Sequence, residues 1–388
     1  MKEHVPVLSN LKLRASYGMV GNQPQNAYQS MATANQRDYI INGVKVTGNI
    51  PGNQLSNPDL KWETSTQLNL AVDFGLFKNR LSGTVEVYDT DTSDLLIYET
   101  LNANTGYTQK LSNLGKVNNK GLEITLNSEL IKKKDFNLNL GLTFTKNKNS
   151  IVSIYGKDAN GDGIEDDAVG NLWFIGKPRD VYYQYKAIGI YQEGENIPIV
   201  TGTTLLPGDI KLYDANPSNG ANPNPEEDRI LTSKMPDWFG TFSLSMNYKR
   251  FDFSADIYTV QGITKDNLYL YGYVQGGSLR GVKNGIKQNY WTPENPGGNW
   301  PRPRDGNDPP YMYTMGLQDA SYVRLQNVSV GFTLPQNTLQ SLGLSNLRLY
   351  VTGSNLVTIT DFQSYSPEKN PGDYPEPVTC VIGLQVGF

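Results

Sequence analysis

The stretch that decides the fold is Val381-Ile382-Gly383-Leu384-Gln385-Val386-Gly387-Phe388, at the end of the sequence. Its even-numbered residues are all apolar, and most of the residues between them are glycine or glutamine. Successive side chains of a β-strand point to opposite faces, so this stretch predicts a strand with one apolar face and one small, polar face. Such a strand is typical of an outer-membrane β-barrel, where the apolar face meets lipid and the other face borders water.

The same alternation recurs along the sequence and, with the final stretch, predicts about ten strands. The other segments are residues 11–17, 62–74, 81–87, 122–126, 136–144, 242–248, 251–257, 328–332 and 347–351. A soluble β-sandwich also alternates, with its apolar side turned inward, so alternation alone leaves both classes open.

The lengths of the connections favour the barrel. Short connections at residues 75–80, 131–135, 249–250 and 333–345 alternate with long ones at residues 20–61, 89–121, 146–239, 258–324 and 352–379. Outer-membrane barrels have short periplasmic turns and long external loops. The tyrosine-rich residues 180–192 are the best candidate for an additional strand, which would need a partner. We therefore predict an all-β, antiparallel, transmembrane barrel portion of about ten to twelve strands.

Composition agrees with this class. Hydrophobic residues make up 38% of the 388 residues, yet the sequence contains 24 tyrosines and 38 glycines. No segment approaches the roughly 18 uncharged apolar residues of a helical span, and the mean hydropathy is −0.47. A helical membrane protein is therefore excluded.

Charge and reactive residues exclude other functions. The formal net charge is −4, and no basic face is present that would neutralise nucleic-acid phosphates. The only histidine is His4 and the only cysteine is Cys380, so an internal disulfide is impossible. A Ser-His-Asp triad, a Cys-His pair or a histidine-based metal site is improbable for the same reason. We expect no enzymatic activity.

Several longer motifs resemble one family, the SusC/RagA-type TonB-linked outer-membrane proteins. Two of them are Asp319-Ala320-Ser321-Tyr322-Val323-Arg324-Leu325-Gln326-Asn327-Val328 and Gly353-Ser354-Asn355-Leu356. The others, in the same order as in the family, are residues 11–18, 21–23, 57–63, 79–83, 119–123, 175–178, 189–192, 207–210 and 332–335. The resemblance covers essentially the whole sequence.

The resemblance implies a plugged barrel of about 22 strands in the outer membrane. Such a protein imports glycan or peptide fragments, is capped by a SusD-like surface lipoprotein and draws energy from TonB. The plug domain, the TonB-contacting segment and a signal peptide are not recognisable in residues 1–388, so the sequence resembles the C-terminal half of the barrel. The alternative is a self-contained small outer-membrane barrel or a surface binding protein.

An acidic segment predicts a calcium site. The candidate ligands are Asp158, Asn160, Asp162 and Asp166, with Gly163 where a Ca²⁺ loop needs a sharp turn. The segment departs from the EF-hand loop because Val169 occupies the position of the closing glutamate. The alternative is a solvated acidic loop tip. A second acidic segment, residues 214–228, is predicted to be external loop.

Aromatic residues in the long connections are candidates for contact with a ligand. They are Trp173, Tyr182, Tyr183 and Tyr185, together with Tyr269, Tyr271 and Tyr273. Their flat apolar faces suit stacking on sugar rings, although tyrosines of the membrane interface have the same character. Trp62 and Trp238, at strand ends, are predicted to belong to that interface.

Acidic residues on the polar face of the predicted strands are expected to border the barrel interior. They are Glu63, Asp73, Glu86, Glu123, Asp252 and Asp256. Glycosidases need two carboxylates at a defined separation in space, and the spacing of these residues along the sequence does not indicate such a pair.

Overall fold

The computed structural model describes residues 7–24, 26–217, 223–224, 226–268, 289–304, 308–341, 343–370 and 373–388. The described strands are β1 (Leu8–Asn22), β2 (Ala34–Ile41), β3 (Val44–Pro51), β4 (Gln54–Leu55), β5 (Glu63–Leu76), β6 (Leu81–Ser93), β7 (Leu96–Thr100), β8 (Gln109–Asn113), β9 (Lys116–Lys133), β10 (Phe136–Ser153), β11 (Val181–Gln184), β12 (Ala187–Ile190), β13 (Ile199–Val200), β14 (Thr203–Thr204), β15 (Ile210–Leu212), β16 (Ile230–Ser233), β17 (Trp238–Tyr248), β18 (Phe251–Gln261), β19 (Thr264–Asp266), β20 (Leu317–Asp319), β21 (Tyr322–Thr333), β22 (Asn346–Thr360) and β23 (Thr379–Gly387). The described helices are the 3₁₀ turns Ala103–Thr105, Val169–Asn171 and Met312–Gly316 and the α-helix α1 (Gln336–Ser341).

Ten of these strands are long and antiparallel, which confirms the predicted fold class. They are β1, β5, β6, β9, β10, β17, β18, β21, β22 and β23. Short turns and long connections alternate between them, as the sequence predicts. Residues 180–192 are not a further long strand, so the prediction of an additional strand there is wrong. They form β11, which pairs with β16, and β12, which pairs with β15.

No helix in the part of the chain that the structure describes is long and apolar enough to cross a membrane.

The chain divides into two compact units. The first comprises Met1–Ile124 and Lys146–Arg179, so the strands β9 and β10 are each divided between the two units. Its long strands run in the order β1-β5-β6-β9-β10, where β9 and β10 contribute their parts within these ranges. Its connections add the hairpin β2-β3 and the small sheet β4-β8-β7. Within the described residues, β1 has a strand partner on one side only, β5. The other edge of β1 therefore has backbone N–H and C=O groups with no strand partner in the part of the chain that the structure describes.

The second unit comprises Thr125–Thr145 and Asp180–Phe388. Its long strands run in the order β9-β10-β17-β18-β21-β22-β23, and β23 pairs on one side only among the described residues. The loops of this unit contain a core of their own, whose members are Tyr185, Ile190, Tyr191, Val200, Leu205, Ile210, Leu212, Trp291, Trp300 and Met312. The apolar side chains of the loops are therefore buried against one another.

The register brings apolar residues of neighbouring strands onto one face. In the second unit Leu349 lies opposite both Phe332 and Leu384, and Val351 lies opposite both Val330 and Ile382. These side chains are exposed; Leu349 is 48% and Ile382 79% accessible. A wide exposed apolar face of this kind is what a lipid-facing barrel wall requires.

The opposite face carries ion pairs across strands. In the first unit Arg14 Nε lies 2.9 Å from Asp73 Oδ2, and Arg14 Nη2 lies 3.3 Å from Glu86 Oε2. In the second unit Arg348 Nε donates to Asp252 Oδ1 at 2.9 Å. These acidic residues are among those predicted for the polar face, and the structure places them there.

Aromatic pairs occur at both ends of the long strands in the second unit. At the short-turn end, Phe251 and Phe332 have ring centroids 4.8 Å apart, and Phe136 meets Tyr248 edge-on at 6.2 Å. At the opposite end, the rings of Phe144 and Trp238 are 5.5 Å apart. Two aromatic belts are expected where a barrel crosses the membrane interfaces.

A β-bulge in β21 changes which residues share a face. The register of β21 shifts between Leu325 and Asn327, so Gln326 is an extra residue relative to β18. Leu325 and Val328, three residues apart, consequently lie opposite Ile257 and Ala255 on the apolar face. The shift places Arg324 on the polar face, as expected for a bulge that redirects the residues beyond it.

Candidate functional site in the long connections

The first unit contains a pocket of about 340 Å³ between its long connections. Its lining residues are Glu63, Leu95, Leu96, Ile97, Tyr98, Val117, Ile151, Ser153, Ile154, Trp173 and Arg179. Most of them are apolar, and Ile151 and Ile154 are almost fully buried behind the surface. The pocket therefore combines an apolar wall with one acidic and one basic residue.

The two charged residues of this pocket are held differently. Glu63 accepts hydrogen bonds from the Leu96 backbone N–H and from Asn22 Nδ2, both at 2.8 Å. Arg179 is fixed through its backbone N–H, which donates to Asn149 Oδ1 at 2.8 Å. Its guanidinium has no ion-pair or hydrogen-bond partner among the described residues. Arg179 is thus the charged group that remains able to meet an anionic ligand.

Trp173 is the one predicted ligand-contacting residue that lines this pocket. A two-way backbone bridge to Ala168, with N···O distances of 2.9 and 3.2 Å, fixes its position. Its ring is partly exposed and lies 6.2 Å from the ring of Tyr155. A ligand contact through Trp173 stays a prediction.

The acidic segment of the first unit is organised by its own backbone. Its predicted metal ligands are Asp158, Asn160, Asp162 and Asp166. Asp158 accepts from the N–H groups of Gly161 at 2.7 Å and Gly163 at 2.9 Å, and Asp166 accepts from that of Ala159 at 2.6 Å. No cluster of three or more His, Cys, Asp or Glu side chains suited to a metal ion occurs within the described ranges. Asp158 Oδ1 accepts a second N–H group, that of Asp162 at 3.2 Å, whereas Asp158 Oδ2 accepts only that of Gly163 among the described residues. Calcium binding by this loop stays a prediction.

Glu165, which the sequence analysis did not single out, anchors the same loop. Its Oε1 accepts from the backbone N–H groups of Ile154, Tyr155 and Gly156, at 2.5 to 2.7 Å. Its Oε2 accepts from the Ser153 hydroxyl at 2.7 Å. Burial opposes ionisation, but these hydrogen bonds outweigh it and lower the pKa of Glu165 below its ordinary value of 4.5. One acid among several in the segment gives no sequence signal for this role.

The three predicted tyrosines lie in the second unit and are packed into its loops. Tyr185 is 2% exposed and meets Tyr311 edge-on, with centroids 5.5 Å apart. Its burial raises the pKa of the phenol to about 12. Its ring is thus a core element, with no face open to a sugar.

Tyr182 and Tyr183 are half-buried. The Tyr182 hydroxyl accepts from the Asp266 backbone N–H at 3.1 Å, and Lys234 Nζ lies 4.6 Å from its ring centroid. The guanidinium of Arg229 lies 5.6 Å from the ring of Tyr183. Contact of these tyrosines with a ligand stays a prediction, and Tyr269, Tyr271 and Tyr273 lie outside the described residues.

A buried carboxylate in the second unit joins two loops. Asp209 is fully buried, accepts from the Leu206 backbone N–H at 2.8 Å and forms an ion pair with Arg304. Arg302 Nε lies 3.5 Å from its other oxygen. Gly208 precedes it at φ +87°, and a Cβ there would overlap the ring of Trp291. Residues 207–210 were among the family motifs, and that was the only sequence signal for this cluster.

A second buried ion pair fixes the connection before β23. The Arg324 side chain is 4% exposed and lies 2.5 Å from Glu368 Oε2 and 3.7 Å from Glu376 Oε2. Its Nε donates to Thr358 Oγ1 at 2.9 Å, and the Ser366 hydroxyl donates to Glu376 at 2.6 Å. The connection from residue 361 to residue 378 is thus attached to the polar face of β21 and β22.

Comparison with known proteins identifies the class. The chain matches the family described as "TonB dependent receptor-like, beta-barrel" over residues 6–356. It belongs to this family and is part of an outer-membrane β-barrel protein. The predicted family, fold class and location are thereby confirmed.

Named relatives and solved structures refine the identification. TonB-dependent receptor P3 of Formosa agariphila is 31% identical over 98% of this chain and 40% of its own length. TonB-dependent receptor SusC of Bacteroides thetaiotaomicron is 26% identical over 99% of this chain and 38% of its own length. A structure of the RagAB peptide transporter superposes with a TM-score of 0.74 at 27% identity, covering 98% of this chain and 41% of that one. The chain thus spans about two fifths of the length of these proteins.

Proposed function

We propose that the protein carrying this chain imports nutrient oligomers across the outer membrane, with energy supplied through TonB. The observation that carries the proposal is the match of nearly the whole chain to TonB-dependent receptor SusC and to the RagAB transporter. In this proposal the ten long strands form part of the barrel wall and the long connections form part of an external vestibule. Further strands and a plug complete the transporter, and a SusD-like lipoprotein covers the vestibule.

The ligand in this proposal is a glycan or peptide fragment, and the pocket of the first unit favours the peptide. Its wall is largely apolar, which suits an aliphatic or aromatic peptide side chain better than a hydroxylated sugar ring. Arg179 provides a cation for a terminal or side-chain carboxylate. RagAB, a structural relative, is described as a peptide importer. The proposal includes no catalytic step.

Uptake by cells carrying variants of the pocket tests this proposal. In the complete polypeptide in its native membrane, we expect Arg179→Ala and Trp173→Ala to reduce uptake of labelled peptides at limiting concentration by about tenfold. Lys157→Ala is the matched control, because Lys157 is a charged residue of the same unit that does not line the pocket. Deletion of TonB should abolish uptake by the wild type.

Two results would contradict the proposal in different ways. Peptide uptake that is unchanged in both pocket variants, with oligosaccharide uptake reduced instead, would reassign the ligand to glycans. Uptake that is independent of both TonB and this polypeptide would reject import altogether and favour a surface binding protein. Covalent cross-linking from the long connections to a surface lipoprotein, checked by mass spectrometry, tests the SusD-like lid separately.

A further inference from the structure

A cleft of about 510 Å³ lies at the short-turn end of the second unit. It is lined by Asp135, Tyr248, Lys249, Arg250, Phe251 and Phe332. Lys249 and Arg250 form the whole turn between β17 and β18, and Asp135 belongs to the turn between β9 and β10. In an outer-membrane barrel, short turns face the periplasm, so the cleft lies at the level of the inner leaflet.

The wall of the cleft is aromatic and belongs to the lipid-facing side. Phe251 and Phe332 lie opposite each other in the register, with ring centroids 4.8 Å apart. Phe251 is 54% and Tyr248 49% exposed. They share the apolar face with Leu349 and its neighbours, so this wall meets acyl chains.

The rim of the cleft carries two cations and one anion. Lys249 Nζ lies 5.5 Å from the centroid of the Tyr248 ring. Among the described residues, Lys249, Arg250 and Asp135 have no side-chain hydrogen bond or ion pair. Their charges are therefore not neutralised by the described part of the chain.

Backbone hydrogen bonds fix the two turns that carry these side chains. The Lys249 N–H donates to the carbonyl of Asp135 at 2.8 Å, and the Thr333 N–H donates to the carbonyl of Arg250 at 2.9 Å. Three turns or strand ends are thus joined around the cleft. A preorganised site loses less entropy on binding than side chains on a free loop.

We propose that this cleft binds phosphatidylethanolamine of the periplasmic leaflet. The lipid phosphate lies between Lys249 and Arg250, where charge-assisted hydrogen bonds are strongest. The ammonium group of the headgroup meets Asp135, and an acyl chain follows Phe251 and Phe332. A zwitterionic headgroup matches a rim with both signs of charge, whereas phosphatidylglycerol has an uncharged glycerol headgroup and would leave Asp135 without a cationic partner. The site depends on the membrane location of the chain and is independent of what is imported.

Native mass spectrometry of the complete polypeptide, released from micelles with defined lipids, tests this site. The probes are phosphatidylethanolamine, phosphatidylglycerol and phosphatidylcholine at equal concentration. We expect the Lys249→Ala/Arg250→Ala variant to reduce retention of phosphatidylethanolamine about tenfold. Asp135→Asn should remove the preference for phosphatidylethanolamine over phosphatidylglycerol without changing the total lipid retained.

Lys78→Ala is the matched control, because Lys78 is an exposed cation in another short turn and does not line the cleft. It should retain the lipid as the wild type does. Resistance of the folded band to unfolding in cold detergent verifies that each variant is folded. Unchanged retention in the double variant would overturn the site, and equal binding of the three lipids by the wild type would overturn the headgroup assignment.

Discussion

Single carboxylates in the long connections hold several donors each, and they explain how extended loops keep a shape. Glu165 accepts three backbone N–H groups and a hydroxyl. Asp209 accepts from Arg304 and the Leu206 N–H, and Glu368 accepts from Arg324 and the Tyr322 hydroxyl. An ionised carboxylate accepts up to about four hydrogen bonds, so one side chain can replace the sheet ladder that a loop lacks.

The hydrogen bonds of Glu165 predict how local stability depends on its substitution and on pH. Glu165→Ala leaves the N–H groups of residues 154–156 without their acceptor and should cost about 1–3 kcal/mol of local stability, less whatever water recovers. Amide hydrogen exchange of residues 154–156, corrected for intrinsic rates, measures this directly. The pKa of Glu165 is lower in the folded state than its ordinary value of 4.5. The stability that Glu165 contributes is therefore complete above about pH 4.5 and is lost as the pH falls through the lower pKa of the folded state.

The control for this experiment is Glu165→Gln. Glutamine keeps one acceptor oxygen, so most of the protection should remain while its dependence on acid pH disappears. Equal exchange in the wild type and the alanine variant would contradict the role assigned to Glu165.

The ion pairs of Arg324 predict how firmly the connection before β23 is attached. Arg324→Met should release the connection at residues 361–378, because removing one partner of a buried pair leaves Glu376 uncompensated, at a cost of about 3 kcal/mol. Burial opposes ionisation of Glu376, but the hydrogen bond from Ser366 and the charge of Arg324 favour it, and the pKa of Glu376 is below its ordinary value. Limited proteolysis of the folded protein should therefore cut this connection faster in the variant. Lys369→Met, at an exposed lysine of the same connection, should be cut no faster than the wild type.

Little of this bonding by carboxylates in the long connections could be predicted from the sequence. The motifs containing Arg324 and Asp209 were visible as family resemblance, but their partners lie 44 and 95 residues away. Periodicity reports which face a residue occupies and carries no information on which loop folds back onto it. Tyr185 illustrates the same limit, because an aromatic residue in a loop core and one that binds a ligand have the same sequence signal.

At the scale of the strands, aromatic rings are seated on glycines of neighbouring strands. A Cβ at Gly121 would overlap the ring of Tyr88, and one at Gly383 would overlap the ring of Tyr350. Glycine weakens an isolated strand, but here its missing side chain makes room for a cross-strand ring. The alternation of small and aromatic residues on the polar face is thus a packing pattern.

Gly383→Val tests this pattern. The new side chain should displace Tyr350 and lower the free energy of unfolding in lipid vesicles by about 1–3 kcal/mol. Adding Tyr350→Ala should remove most of the penalty, so the two substitutions should not be additive. Gly141→Val in β10 is the matched control, because β10 has strands on both sides and a Cβ there comes no closer than 3.4 Å to its nearest neighbour, Ser243 Cβ. A similar loss in both valine variants would contradict the packing argument.

The period-two pattern of the sequence correctly predicts the number of long strands and the alternation of short and long connections. It does not predict where the strands begin and end. The sequence placed one strand at residues 328–332, and β21 begins at Tyr322. The bulge at Gln326 breaks the alternation, so the first half of β21 carries the opposite phase and does not count as a match to a period of two. The prediction of an additional long strand at residues 180–192 is wrong for another reason, because tyrosine is common both in strands and in packed loops.

At the scale of the whole molecule, one face of the long strands is apolar and exposed while the other is polar and joined by ion pairs. Each unit shows this division separately, with Leu13 and Val72 on the apolar face of the first and Leu349 and Leu384 on that of the second. A soluble sheet would bury the apolar face. An outer-membrane wall exposes it to lipid, which is the central claim for this chain.

The most direct test of this claim is the lipid accessibility of consecutive residues in β22. Nitroxide labels attached to single cysteines at residues 347–352 of the complete polypeptide in bilayers, with Cys380→Ser as background, report collisions with oxygen and with a water-soluble nickel chelate. The wall predicts that oxygen accessibility peaks at Leu347, Leu349 and Val351 and that the nickel chelate favours the residues between them. Uniform accessibility, or peaks at Arg348 and Tyr350 instead, would contradict the assignment of this face to lipid.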